Sequence, residues 1–121
     1  MYQNLPNKVG FGPKSYSLIS TEYNEGIVVS GESIDTESII DKIKKISSSN
    51  IIHITIGKER NDLDYIDSLS TKYRNDSIDF MVAIGGGSII DFTKLFRESL
   101  SKKSHHLPSF FVIPSLIGSG A

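Results

Sequence analysis

Cysteine is absent from this 121-residue chain, which removes disulfides, zinc–thiolate centres and cysteine nucleophiles from consideration. An excess of charge is missing too: 13 Lys+Arg stand against 14 Asp+Glu, a formal net charge of -1. So near neutrality there is no field to draw nucleic acid or an anionic membrane, and neither is expected as a partner. No apolar run approaches the roughly 20 residues that span a bilayer. The opening MYQNLPNKVGFG lacks the charged-then-apolar pattern of a signal peptide, so a cytoplasmic location is the expectation. Repeats, heptads and low-complexity tracts are also lacking, and Ser47, Ser48 and Ser49 read as a helix end. What remains is a globular composition, 38% hydrophobic and 22% charged, of a length that fits one domain.

Four apolar runs organise the chain. GIVVS (Gly26 to Ser30) is β-branched and reads as a buried strand. It leads to DTESIIDKIKKISSS, where Asp35 or Thr36 can cap a helix, Glu37 supports its first turn, and Ile39, Ile40, Ile43 and Ile46 fall at helical spacing. NIIHITIG (Asn50 to Gly57) is the second strand. After it, NDLDYIDSLSTKYR places Leu63, Ile66, Leu69 and Tyr73 at helical intervals, with Asn61 or Asp62 as cap. DFMVAIG is the third strand. Ser88 to Leu100 then reads as a helix with Ile89, Ile90, Phe92, Thr93 and Phe96 on a broad buried face. A polar connector, SKKSHHLP, precedes the last strand, SFFVIPS, and Lys8 to Gly12 is a candidate edge strand. Strands apolar throughout are buried on both faces. The fold class expected is therefore α/β, an open, mostly parallel sheet with helices on both faces, Rossmann-like.

Glycine gives up more backbone freedom on folding than any other residue, so Gly85-Gly86-Gly87 in FMVAIGGGSIID needs a reason. Two stay open on local chemistry: a tight strand-to-helix turn, or a ligand resting on bare backbone. The run ends a strand and begins a helix, which is where ligands bind in such sheets. There a phosphate can approach the main chain, meet the free N–H groups and positive end of the helix, and take a further bond from the Ser88 hydroxyl. Asp91 and Lys94 stand three apart and can pair, with Asp91 expected in the first turn. The turn follows the third apolar run, whereas the usual GxGxxG fingerprint follows the first strand of its unit.

AIGGGSIIDFTK resembles the GGGSxxDxxK stretch of the iron-containing (group III) alcohol dehydrogenases, and IPSLIGSGA resembles that family's PTTAGTGSE segment. VGFGPKS is similar to the family's FGxGS opening, and the three segments occur in the family's order. The resemblance implies a domain that binds NAD or NADP for hydride transfer between an alcohol or aldehyde and the nicotinamide. It implies cofactor contacts from Gly85, Gly86, Gly87, Ser88 and Asp91, and from Ser115, Leu116 and Ser119 in place of the family's threonines. Leu116 and Ile117 depart from it by adding bulk beside the cofactor channel. Gly31, in VVSGES, stands where the family often has an aspartate that favours NAD. Without that carboxylate a 2′-phosphate is not repelled, so NADP is slightly preferred.

The family's catalytic metal, iron or zinc, is held by an aspartate and histidines in a helical domain. The chain stops at Ala121 before any such segment. The resemblance thus implies residues 1–121 as a single dinucleotide-binding domain, the N-terminal part of a longer enzyme. It implies no catalytic or metal residue here, no hydride transfer by this chain alone, and homodimer assembly as in relatives. Among other polar residues, His105-His106 reads as a solvated connector, His53 as a packed or edge-strand histidine, and KERNDLD as a solvated loop with a helix cap. Ser88 is no nucleophile, because GGGS lacks the GxSxG elbow. Two other functions compete: a fragment of a sugar-phosphate cyclase similar to dehydroquinate synthase, and a non-catalytic nucleotide-binding or assembly module.

Overall fold

All the expected strands form, and the short one at the start joins them. The computed structural model describes residues 8–32, 36–57 and 62–114. The strands are β1 (Val9–Phe11), β2 (Glu25–Gly31), β3 (Asn50–Ile56), β4 (Phe80–Gly85) and β5 (Ser109–Pro114). A 3-10 helix (Ser15–Leu18) follows β1; the α-helices are α1 (Glu37–Ser47), α2 (Leu63–Tyr73) and α3 (Gly87–Ser104). The sheet runs β1-β5-β4-β2-β3, and every neighbouring pair is parallel. The expected open parallel sheet is therefore the fold.

Burial explains the strand composition. The central strands β2 and β4 are buried along almost their whole length, as uniformly apolar sequence requires. On one face Ile66 and Leu69 of α2 and Ile89, Phe92, Phe96 and Leu100 of α3 pack on Ile27, Val29, Met81, Ala83, Phe110 and Val112. On the other, Ile43 of α1 with Ile19 and Tyr23 covers Val28, Phe80, Val82, Phe111 and Ile113. Strand β3 is an edge, and its exposed His53 and Thr55 alternate with buried Ile54 and Ile56.

The helix ends show which sequence signals act. Asp62 caps α2, its Oδ1 accepting from the Tyr65 N–H at 3.1 Å. Thr36 occupies the N-cap position of α1, but its side chain makes no capping bond. Helix α3 continues to Ser104, so the SKKS segment expected in the connector belongs to the helix. The apolar stripe stops at Leu100, which is why periodicity lost the helix there. Lys102 and Lys103 carry the last turn, where cations favour the dipole, and pair with Glu98 at 3.4 Å and Asp67 at 2.9 Å. His105, at φ 59, ends the helix in the left-handed region.

Candidate functional site

The strand order reverses beside β4. From β2 the chain moves outward to β3; from β4 it moves the other way to β5. Helix α1 packs on one face and α3 on the opposite one, so the connections leaving β2 and β4 diverge. Such a switch point opens a crevice at the carboxyl ends of the two strands, the standard ligand position in these sheets. Register lines up the residues that rim it. Ser30 lies beside Ile84, so Gly31 and Gly85 end neighbouring strands, and Gly85 is level with Pro114 of β5.

The three glycines have three different settings. Gly85 is buried and has φ 154, a conformation L side chains rarely adopt, so the turn itself requires glycine there. Gly86 is the N-cap of α3 with φ -89 and ψ -167, an extended geometry open to any residue. Gly87 begins the helix. Among the described residues, a Cβ placed on Gly86 or on Gly87 would meet nothing within 4 Å. Neither conformation nor packing among the described residues calls for glycine at those two positions, and both are exposed.

The helix that starts there is bare. Its N-cap makes no side-chain bond, and its first turn holds no acid. The first intrahelical bonds run from the Ile89 and Ile90 N–H groups to the Gly86 carbonyl, each at 3.1 Å. The N–H groups of Gly87 and Ser88 precede them and have no intrahelical acceptor. With Ser88, an exposed hydroxyl residue, they add donors at the positive end of an 18-residue helix. Free N–H groups at a helix N-terminus suit a phosphate or pyrophosphate.

Asp91 is exposed and lies just past the first turn, one residue further in than expected, because α3 begins at Gly87 and not at Ser88. It does not pair with Lys94; the ion pairs among the described residues are Lys102–Glu98 and Lys103–Asp67. Gly31 is the buried last residue of β2. Ser115, Leu116 and Ser119 lie outside the described residues. His53 is on the edge strand, its Nε2 2.8 Å from the buried Ser30 Oγ and 3.3 Å from Thr36 Oγ1. Sequence reasoning missed that contact, which joins β2, β3 and α1 and leaves no periodic signal. It also missed Asp79, 2% exposed, whose Oδ2 accepts the N–H groups of Asn24 at 2.6 Å and Glu25 at 3.0 Å. An acid heading an otherwise apolar strand was the one available clue.

Concave pockets of about 340 and 360 Å³ lie elsewhere, between α1 and β3 and on the flank of α3. Among the described residues no group of three or more His, Cys, Asp or Glu side chains is placed to hold a metal ion. Nor is any helix among them long and apolar enough to cross a membrane.

A family model described as iron-containing alcohol dehydrogenase matches residues 6–121. An iron-containing alcohol dehydrogenase from Thermotoga maritima is 26% identical with TM-score 0.70, over 95% of this chain and 38% of that one. One from Thermococcus thioreducens is 19% identical with TM-score 0.66, over 94% of this chain and 37% of that one. NADH-dependent butanol dehydrogenase A from Thermotoga maritima is 16% identical with TM-score 0.58, over 88% and 32% of the two chains. The last two likenesses speak to fold alone. No curated protein matches. The chain thus spans 38% or less of the length of these solved structures.

Proposed function

The chain belongs to the iron-containing alcohol dehydrogenase family, and from that premise we propose that it is the nicotinamide-dinucleotide-binding portion of a metal-dependent, alcohol dehydrogenase-like oxidoreductase. On this reading residues 1–121 form a single dinucleotide-binding domain. The observation that carries it is the bare backbone at Gly86 and Gly87, unexplained by any contact among the described residues and placed at the switch point of the sheet.

Each residue then has a binding or orienting task. The Gly87 and Ser88 N–H groups, with the Ser88 hydroxyl, hold the pyrophosphate; Gly85 sets the turn that aims them. Gly31, at the neighbouring strand end, faces the adenosine ribose. Asp91 stands one turn behind those N–H groups, and the resemblance assigns cofactor contacts to Ser115, Leu116 and Ser119. When bound, the cofactor supplies the carbon that exchanges hydride with an alcohol or aldehyde. The described residues offer no metal ligand set, so their part is to fix the cofactor's position. Polarising the substrate oxygen falls to the region of the complete enzyme beyond the part of its relatives that this chain matches. The family match favours this reading over a sugar-phosphate cyclase or a non-catalytic module.

Gly31 supports a preference for NADP, since no carboxylate there opposes a 2′-phosphate. One observation favours NAD as a second reading. Glu32, the next residue, is exposed, and its carboxylate lies over the end of β3, with Oε1 3.0 Å from where a Cβ on Gly57 would stand. Calorimetric titration of NADPH and NADH tests both points. The wild-type chain is expected to bind at least one of them and Gly87→Val neither. If neither binds wild type at about millimolar concentration, the pyrophosphate assignment is wrong. If Glu32→Gln strengthens NADPH binding and wild type takes only NADH, the NADP preference is wrong while the site stands.

A further inference from the structure

Arg97 lies on α3 over β5, about 15 Å along the helix from Gly87 at 1.5 Å per residue. Its Nε donates to the Pro108 carbonyl at 2.6 Å, and its guanidinium rests over the Phe110 ring, 5.5 Å from the centroid. Pinned by one bond and one aromatic face, the group has a fixed orientation. Its two terminal nitrogens are not used by either contact. Among the described residues it has no carboxylate partner. Burial lowers its pKa from the usual arginine value, though not enough to remove the charge. A half-buried cation without a counter-charge is an unfavourable arrangement that an anion relieves.

The surroundings carry the same sign. Arg97 lines a pocket of about 360 Å³ with Lys94, Glu98, Ser101, Lys102 and Leu107. Lys94, Arg97 and Ser101 share one flank of the helix by spacing. Glu98, the acid on that flank, is taken by Lys102 at 3.4 Å. The pocket is left with two positive charges, and the volume is at the lower end of small-molecule sites. A guanidinium fork matches two oxygens of a tetrahedral or planar oxyanion. Two charges favour a dianion over a monoanion.

We propose that this pocket is a second anion site, separate from the glycine turn, which binds the phosphate group of a small phosphomonoester or free phosphate between the terminal nitrogens of Arg97 and Lys94. The site takes no part in holding the dinucleotide pyrophosphate.

The test is a nitrogen–proton correlation titration of the chain at low ionic strength with inorganic phosphate, ethyl phosphate and acetate in turn. Phosphate and ethyl phosphate are expected to shift amides from Lys94 to Lys102 and from Leu107 to Phe110, with dissociation constants of about millimolar order. Tighter binding of ethyl phosphate identifies an organic phosphate as the occupant; equal binding identifies phosphate itself. Arg97→Gln should weaken that response about tenfold or more. Lys94→Gln, at an exposed position that leaves Arg97's packing intact, should weaken it by a smaller factor. Arg97→Lys, which keeps charge but not the fork, should fall between wild type and Arg97→Gln. Shifts confined to Gly86, Gly87 and Ser88 would overturn the proposal, as would equal shifts with acetate or an unchanged response in both Gln variants.

Discussion

Replacing Gly87 by alanine should separate two properties that most binding-site substitutions damage together. The backbone at Gly87 is helical, with no positive φ, and an added Cβ would meet none of the described residues within 4 Å. Alanine there narrows the unfolded ensemble and suits the helix, so the fold should gain about 0.5–1 kcal/mol. In a domain of this size that raises the melting midpoint by about 2–8 °C. The same methyl group stands where the pyrophosphate must approach the main chain, so dinucleotide affinity should drop about tenfold or more. Gly85→Ala provides the contrast: its φ of 154 is unsuited to an L side chain, and the substitution should cost about 1–3 kcal/mol. Thermal unfolding followed by far-ultraviolet circular dichroism reads stability, and calorimetry with NADPH and NADH reads binding. A Gly87→Ala protein that melts lower than wild type and binds cofactor equally well would refute the reasoning. Glycine would then be serving the fold and not a ligand.

Two further outcomes test the packing. At Gly26 a Cβ would lie 2.2 Å from Phe80 Cζ, in a ring stacked on Tyr23 at 5.5 Å and edged by Phe111 at 6.4 Å. Gly26→Ala should therefore cost about 1–3 kcal/mol in urea unfolding, and adding Phe80→Leu should return part of the loss. Asp79→Ala removes the acceptor of two amides, those of Asn24 and Glu25. A loss of about 2–4 kcal/mol is expected, with faster hydrogen exchange at those two amides than at the centre of β2. Unchanged exchange there would show that the carboxylate is not holding the strand ends together.

The strands were legible because β-branched and aromatic residues cluster in runs too short for helices, and α1 and α2 because Ile43, Ile66 and Leu69 recur at helical spacing on buried faces. The last turn of α3 was not, since Ser101 to Ser104 carry no apolar stripe and are held by charge. The glycine turn was visible as a motif, yet its residues looked equivalent in one dimension. Asp91 looked like a first-turn acid only because Gly87 had not been counted into the helix.

Composition, periodicity and motif order determined which segments would be strands and helices and that the glycines join β4 to α3. These are local properties, set by residues a few positions apart. Tertiary structure decided the strand order that reverses beside β4, the burial of Asp79, and the pinning of Arg97 on Phe110. It also decided that Gly85 serves the backbone while a Cβ at Gly86 or Gly87 would touch no described residue. Each depends on contacts between residues distant in the chain, and side-chain volume in three dimensions leaves no trace in a linear pattern.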